Sequence, residues 1–157
     1  MTVMSDRYIL VIADGTNEME VALQYACARA KKTGRKIIIA TFIEPLDVLT
    51  TQGVQEIMKN EAREEAELKL QQASAIVKSS TGLTPVLQLR EGKIIDELIA
   101  LIEEEKNINV LVLAANVDEK GPGPIISSLT TKEYTRLRIP VMIVPGNFSK
   151  EHIALIT

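Results

Sequence analysis

Asp14 is the residue whose type and position first suggest chemistry. It follows the apolar run Tyr8-Ile9-Leu10-Val11-Ile12-Ala13 and opens Asp14-Gly15-Thr16-Asn17, directly before a segment of helical period. A carboxylate there can accept hydrogen bonds from the hydroxyls of a ligand. It can equally sit beside the unpaired N–H groups and the dipole of the helix start, a role that needs no ligand. A second group lies far along the chain, where Gly121-Pro122-Gly123-Pro124 precedes Ser127, Ser128, Thr130 and Thr131. Glycine lets a backbone approach an anion closely, and a helix N-terminus offers free N–H donors. Hydroxyls can add to such a cradle or cap the helix. Two features oppose a phosphate here. Both prolines lack an N–H, and Asp118 and Glu119 would repel the anion with only Lys120 against them.

Other chemistries find little support. No GxSxG elbow, Walker loop or GxGxxG fingerprint occurs. His152 is the only histidine and lies near the C-terminus, in sequence away from Asp14 and the Gly-Pro loop. Cys27 is the only cysteine, so an intramolecular disulfide is impossible. It falls in the helical apolar pattern Ala22, Leu23, Ala26, Cys27, Ala30, which reads as a small buried thiol. A metal would have to rely on carboxylates, and no spaced cluster suggests one. No catalytic residue is assigned, which leaves at most a weak ATPase. The net charge of −3 gives no basic field for nucleic acid, and aromatics at 3% give no base-stacking platform. Met1–Arg7 carries no apolar stretch of signal-peptide length, and no apolar run is long enough to span a bilayer. The expectation is a cytoplasmic protein without a membrane partner.

The elements that must position these residues follow from periodicity. Apolar runs of strand length alternate with longer helical segments. Tyr8–Ala13 is continuous in apolar character, as a strand buried on both faces requires. A helix follows, with Asn17 as a candidate cap, Glu20 completing a capping box and Gly34 as the C-terminal stop. Lys36–Ile43 is the second strand. A long helix is expected over Thr51–Ser80, with Val54, Met58, Ala62, Ala66, Leu70, Ala73 and Val77 forming one inward stripe. Leu83–Leu89 is a third strand, and Pro85 near its start places it at a sheet edge. A helix over Lys93–Lys106, a strand over Asn109–Ala115, a short helix near Ser127–Leu137 and a last strand over Ile139–Pro145 complete the pattern. Strict alternation of strand and helix implies a parallel sheet with helices on both faces. The 157 residues suit a single domain, with a core over 7–146 and a C-terminal tail over 147–157.

Several pieces of this sequence resemble the universal stress protein family: Arg7–Thr16, Ala22–Ala26 with Lys31–Gly34, Phe42-Ile43-Glu44-Pro45, Arg90-Glu91-Gly92 and Ile139–Pro145. The resemblance implies a five-stranded parallel sheet in the order 3-2-1-4-5. It then places the ends of strands one and four side by side, at the switch point where open α/β sheets bind ligands. It also implies an adenine nucleotide, ATP or AMP, with magnesium only as the companion of ATP. Matched by position, Ile12, Ala13, Asp14 and Phe42 would face the adenosine portion. The family's glycine motif falls on Ala114, Val117 and the pair Ser127-Ser128, with Gly121 and Gly123 as a shifted substitute loop. Val is a poor replacement where an unusual backbone angle is needed, so a nucleoside or monophosphate fits better than a triphosphate. Many members dimerise through strand five, here Val141-Met142-Ile143-Val144, whose uncovered edge invites pairing. The alternative is a dimeric interaction module in the stress response that has lost the nucleotide. An unidentified regulatory protein partner is expected in either case.

Overall fold

The computed structural model describes residues 6–45 and 51–157; most of the N-terminal stretch read above for a signal segment therefore lies outside the described residues. Five strands are laid down in chain order: β1 (Tyr8–Ile12), β2 (Lys36–Ile43), β3 (Val86–Glu91), β4 (Ile108–Ala115) and β5 (Val141–Pro145). All pair in parallel, in the order β3-β2-β1-β4-β5. The order expected from the family resemblance is therefore the one observed. Pro85 stands just before edge strand β3, as its missing N–H predicts.

Among the described residues, α-helices cover the sheet: α1 (Asn17–Thr33), α2 (Gln52–Thr81), α3 (Ile94–Glu104), α4 (Pro124–Thr131) and α5 (Lys150–Ile156). Because side chains alternate along a strand, each central strand feeds two separate cores. Ile9, Val11, Ala13, Ile37 and Ile39 pack with α1, α2 and Ile153 of α5. Leu10, Ile12, Ile38 and Ala40 pack on the opposite face with α3 and α4. That double burial explains why β1 reads as an unbroken apolar run and why Ile37–Ala40 of β2 are all apolar. Cys27 lies fully buried in the α1 layer, where burial pushes its thiol pKa up; a hydrogen bond with Ser80 and the charge of Lys31 pull the other way.

Several boundaries differ from the periodicity reading. The residue ahead of α1 is Thr16 rather than Asn17, its side chain makes no capping bond, and the Asn17–Glu20 box is not formed. Asp14 takes over the local bonding instead, as described below. β3 starts after Pro85, because a residue that cannot donate marks the strand's beginning. α4 starts at Pro124, well before Ser127, since proline is suited to the first helical position. A separate 3-10 turn over Tyr134–Arg136 then replaces the rest of the expected short helix. The C-terminal tail is helical: Ile153 is buried against α1, whereas Leu155 is 84% exposed. The strand β4 carries a register shift against β1, with Tyr8 opposite Ile108 and Ile9 opposite Val110, so Asn109 is the extra residue. Among the described residues, no helix is long and apolar enough to cross a membrane.

Candidate functional site

The strand order puts the carboxyl ends of β1 and β4 side by side, and the chain leaves them in opposite directions. The gap between the two exits is a cavity of about 310 Å³. Its floor is Ile12 with Val112, Leu113 and Ala114, the last turns of β1 and β4. One wall is the first turns of α1, with Thr16, Glu18, Met19 and Ala22; the other is Pro122, Gly123, Pro124, Ile125 and Ile126, where the loop after β4 enters α4. A neighbouring cleft shares Ile94, Pro124 and Ile125 and continues past Ser128 toward the end of β2 at Glu44 and Pro45.

Asp14 stands at the rim. Its Oδ1 accepts from the backbone N–H of Thr16 at 3.0 Å and from the Thr16 hydroxyl at 2.7 Å. These two bonds fix the carboxylate over the start of α1 and leave Oδ2 without a hydrogen bond among the described residues. Gly15, at φ 77°, makes the turn that permits this. Asn116 is held across the cavity by its backbone N–H, which donates to the Pro122 carbonyl at 3.1 Å, and by its Oδ1, which accepts from the N–H of Asp118 at 2.9 Å. Its side-chain amide N–H groups remain as donors at the cavity. The loop thus satisfies itself through short-range side-chain turns. Gly121 and Gly123 take φ of 96° and 113°, angles that only glycine adopts readily.

The expected site residues are only partly gathered. Ile12, Asp14, Ala114 and Gly123 line the cavity together. Ser128 lines the neighbouring cleft. Ala13 lies beneath: its N–H donates to the Ala40 carbonyl at 2.8 Å and its carbonyl accepts from the Thr41 hydroxyl at 2.7 Å, so both backbone groups are used inside the sheet. Phe42 packs into the α3–α4 layer, and neither it, Gly121 nor the exposed Ser127 lines the cavity. The hydroxyls of Thr130 and Thr131 are spent on carbonyls of their own helix, at 2.7 and 2.6 Å. Thr16, Glu18, Asn116 and the paired isoleucines Ile125 and Ile126 were not singled out by the sequence. Thr16 and Asn116 carried one usable signal, polar residues just beyond the ends of the two switch-point strands. Glu18 reads locally as an ordinary first-turn carboxylate.

The cavity's charge is one-sided. Asp14 and Glu18 line it, and among the described residues no Lys or Arg does. Among the described residues, no group of three or more His, Cys, Asp or Glu side chains is arranged to hold a metal ion. The donors and acceptors suit a sugar or a base.

With this geometry in place, comparison with known proteins is decisive on one point. The sequence model of the Universal stress protein family matches residues 7–145. The chain belongs to the universal stress protein family. No curated protein matches the sequence significantly. Solved structures do. The universal stress protein UspA from Lactobacillus plantarum superposes with a TM-score of 0.72 at 13% identity, covering 90% of this chain and 99% of that one. A universal stress protein from Archaeoglobus fulgidus in complex with dAMP gives 0.64 at 14% identity over 90% and 99%. A universal stress protein in complex with cAMP gives 0.64 at 21% identity over 92% and 100%. At these identities the superpositions speak for the fold.

Proposed function

We propose that this universal stress protein is a small regulatory module that binds an adenine nucleoside or nucleotide in the cavity between the ends of β1 and β4. The observation that carries the reading is Asp14: its carboxylate is oriented by Thr16, one oxygen stays open at the cavity, and it lies at the switch point where such folds take ligands. Ile12, Ala114 and Gly123 would contact the ligand there, and Ser128 would extend the contact along the cleft. The cAMP and dAMP complexes of two structural relatives support the chemical class. The protein would work as a cytoplasmic homodimer joined through β5, with a regulatory protein as its further partner.

A thermal shift with AMP tests the site. A ligand at 100 times its dissociation constant adds about 2.7 kcal/mol of stability, and Asp14→Ala should remove that gain. Retention of the full shift in Asp14→Ala would take Asp14 out of the site. A second reading, an interaction module without nucleotide, is favoured by Ala114, Val117 and Ser127 standing where the family carries glycine. Absence of any shift with adenosine, AMP or ATP at millimolar concentration would select it.

A further inference from the structure

We propose that the switch-point cavity prefers the uncharged nucleoside over its phosphate esters, with Glu18 as the residue that sets this preference; the inference rests on the adenine reading above. The cavity has apolar walls from Met19 and Ala22 on α1 and from Ile125 and Ile126 on α4, which suit a base or a sugar face. Among the described residues, its charged groups are the carboxylates of Asp14 and Glu18. Among the described residues neither makes an ion pair. Nearby cations stay off the cavity: Lys120 is exposed in the loop, Lys93 faces the neighbouring cleft and Lys69 lies across Gly15.

Glu18 is also held in place. The turn after β5 packs directly on its stem: a Cβ added at Gly146 would lie 2.6 Å from the Glu18 Cγ and 3.1 Å from its Cβ. The N–H of Gly146 donates to the Ala115 carbonyl at 2.8 Å, which ties that turn to the end of β4. That contact restricts the Glu18 stem beside the cavity it lines. Across the cavity, α4 offers the first-turn N–H groups of Ile125 and Ile126, while Pro124 offers none. Two neutral donors and the Asn116 amide can serve a ring nitrogen or a hydroxyl. They do not offset a phosphate placed among two carboxylates, because like charges close together in a partly enclosed site repel strongly. Ribose hydroxyls, by contrast, find acceptors in both carboxylates.

Calorimetric titration of the full chain with adenosine, AMP and ATP, at low and moderate salt and with and without magnesium, tests this. The expected order is adenosine tightest, with AMP weaker by about tenfold and ATP weaker again, as repulsion at an effective dielectric between protein and water predicts. Added salt should narrow the gap. Glu18→Gln keeps the packed stem and removes the charge, so the ratio of adenosine to AMP affinity should fall about threefold, the rest of the preference staying with Asp14, with folding of the variant checked by its melting temperature. ATP binding more tightly than adenosine, or a ratio unchanged in a folded Glu18→Gln, would overturn the proposal and leave the adenine reading intact. Binding of none of the three would overturn both.

Discussion

Gly146 shows how much a single missing methyl group can matter. Its position is fixed by close approach, since an added Cβ would sit 2.6 Å from the Ala115 carbonyl oxygen as well as from Glu18. Gly146→Ala should therefore destabilise the fold by about 1–3 kcal/mol, the usual cost of overpacking; urea denaturation would read it, and an unchanged midpoint would show that the turn can yield. Cys27 gives a second prediction at this scale. Burial raises its pKa in the folded chain, so the unfolded chain loses its thiol proton first as pH rises. The folded state then binds more protons, and stability falls with increasing pH through and above the ordinary thiol range. Cys27→Ala should flatten that part of the stability curve, and a slope identical to the parent's would count against the buried-thiol account. Asp14 was legible because an apolar run stops there before a helix. Glu18 was not, because its partner at the site is a turn beyond the last strand, and no local pattern joins residues so distant in the chain.

At the level of elements, α2 departs most from its periodicity. The stripe Val54, Met58, Ala62, Ala66, Leu70, Ala73 and Val77 predicted one continuous inward face. Burial is complete only from Ala66 onward; Met58 and Ala62 are half-buried and Val54 is exposed. Geometry explains the difference. A helix of 30 residues runs ~45 Å, whereas the 8 residues of β2 reach only ~26 Å. Periodicity shows which face would be buried, but not where the sheet ends beneath it. Backbone amides over 52–65 should exchange with deuterium at least about tenfold faster than those over 66–81, as sparse burial lowers local stability; uniform protection along the helix would contradict this. The other end of the fold holds a tie that the sequence did not announce. α3 ends at Glu105 without a left-handed cap, and one guanidinium nitrogen of Arg138 donates to the carbonyls of Ile102, Glu105 and Ile108 at 2.7, 3.2 and 3.1 Å. Arg138→Ala should cost about 0.5–1.5 kcal/mol, the usual net worth of a hydrogen-bonded group at a partly exposed site, measured by thermal melting. No change would mean that water replaces the side chain there.

For the whole molecule, strand order and the two-faced core were readable because alternation of apolar runs and helical segments leaves few windings, and the family resemblance chose among them. The exposed rim was readable as well. Among the described residues β5 pairs with β4 alone, and its Met142 and Ile143 are each 41% exposed. If a second copy joins there, Met142→Lys with Ile143→Lys should convert a dimer to a monomer in sedimentation at micromolar concentration while far-UV circular dichroism stays native. A parent chain that sediments as a monomer would refute the homodimer.

The two rims of the sheet share one feature: β3 begins directly behind Pro85 and β5 directly behind Pro140, and among the described residues each pairs on one side. Twofold contact through β5 would use that rim in both copies and leave β3 outermost at each end of the joined sheet. Further growth by strand addition would then have to start at β3, where the proline ahead of the strand has no N–H to offer.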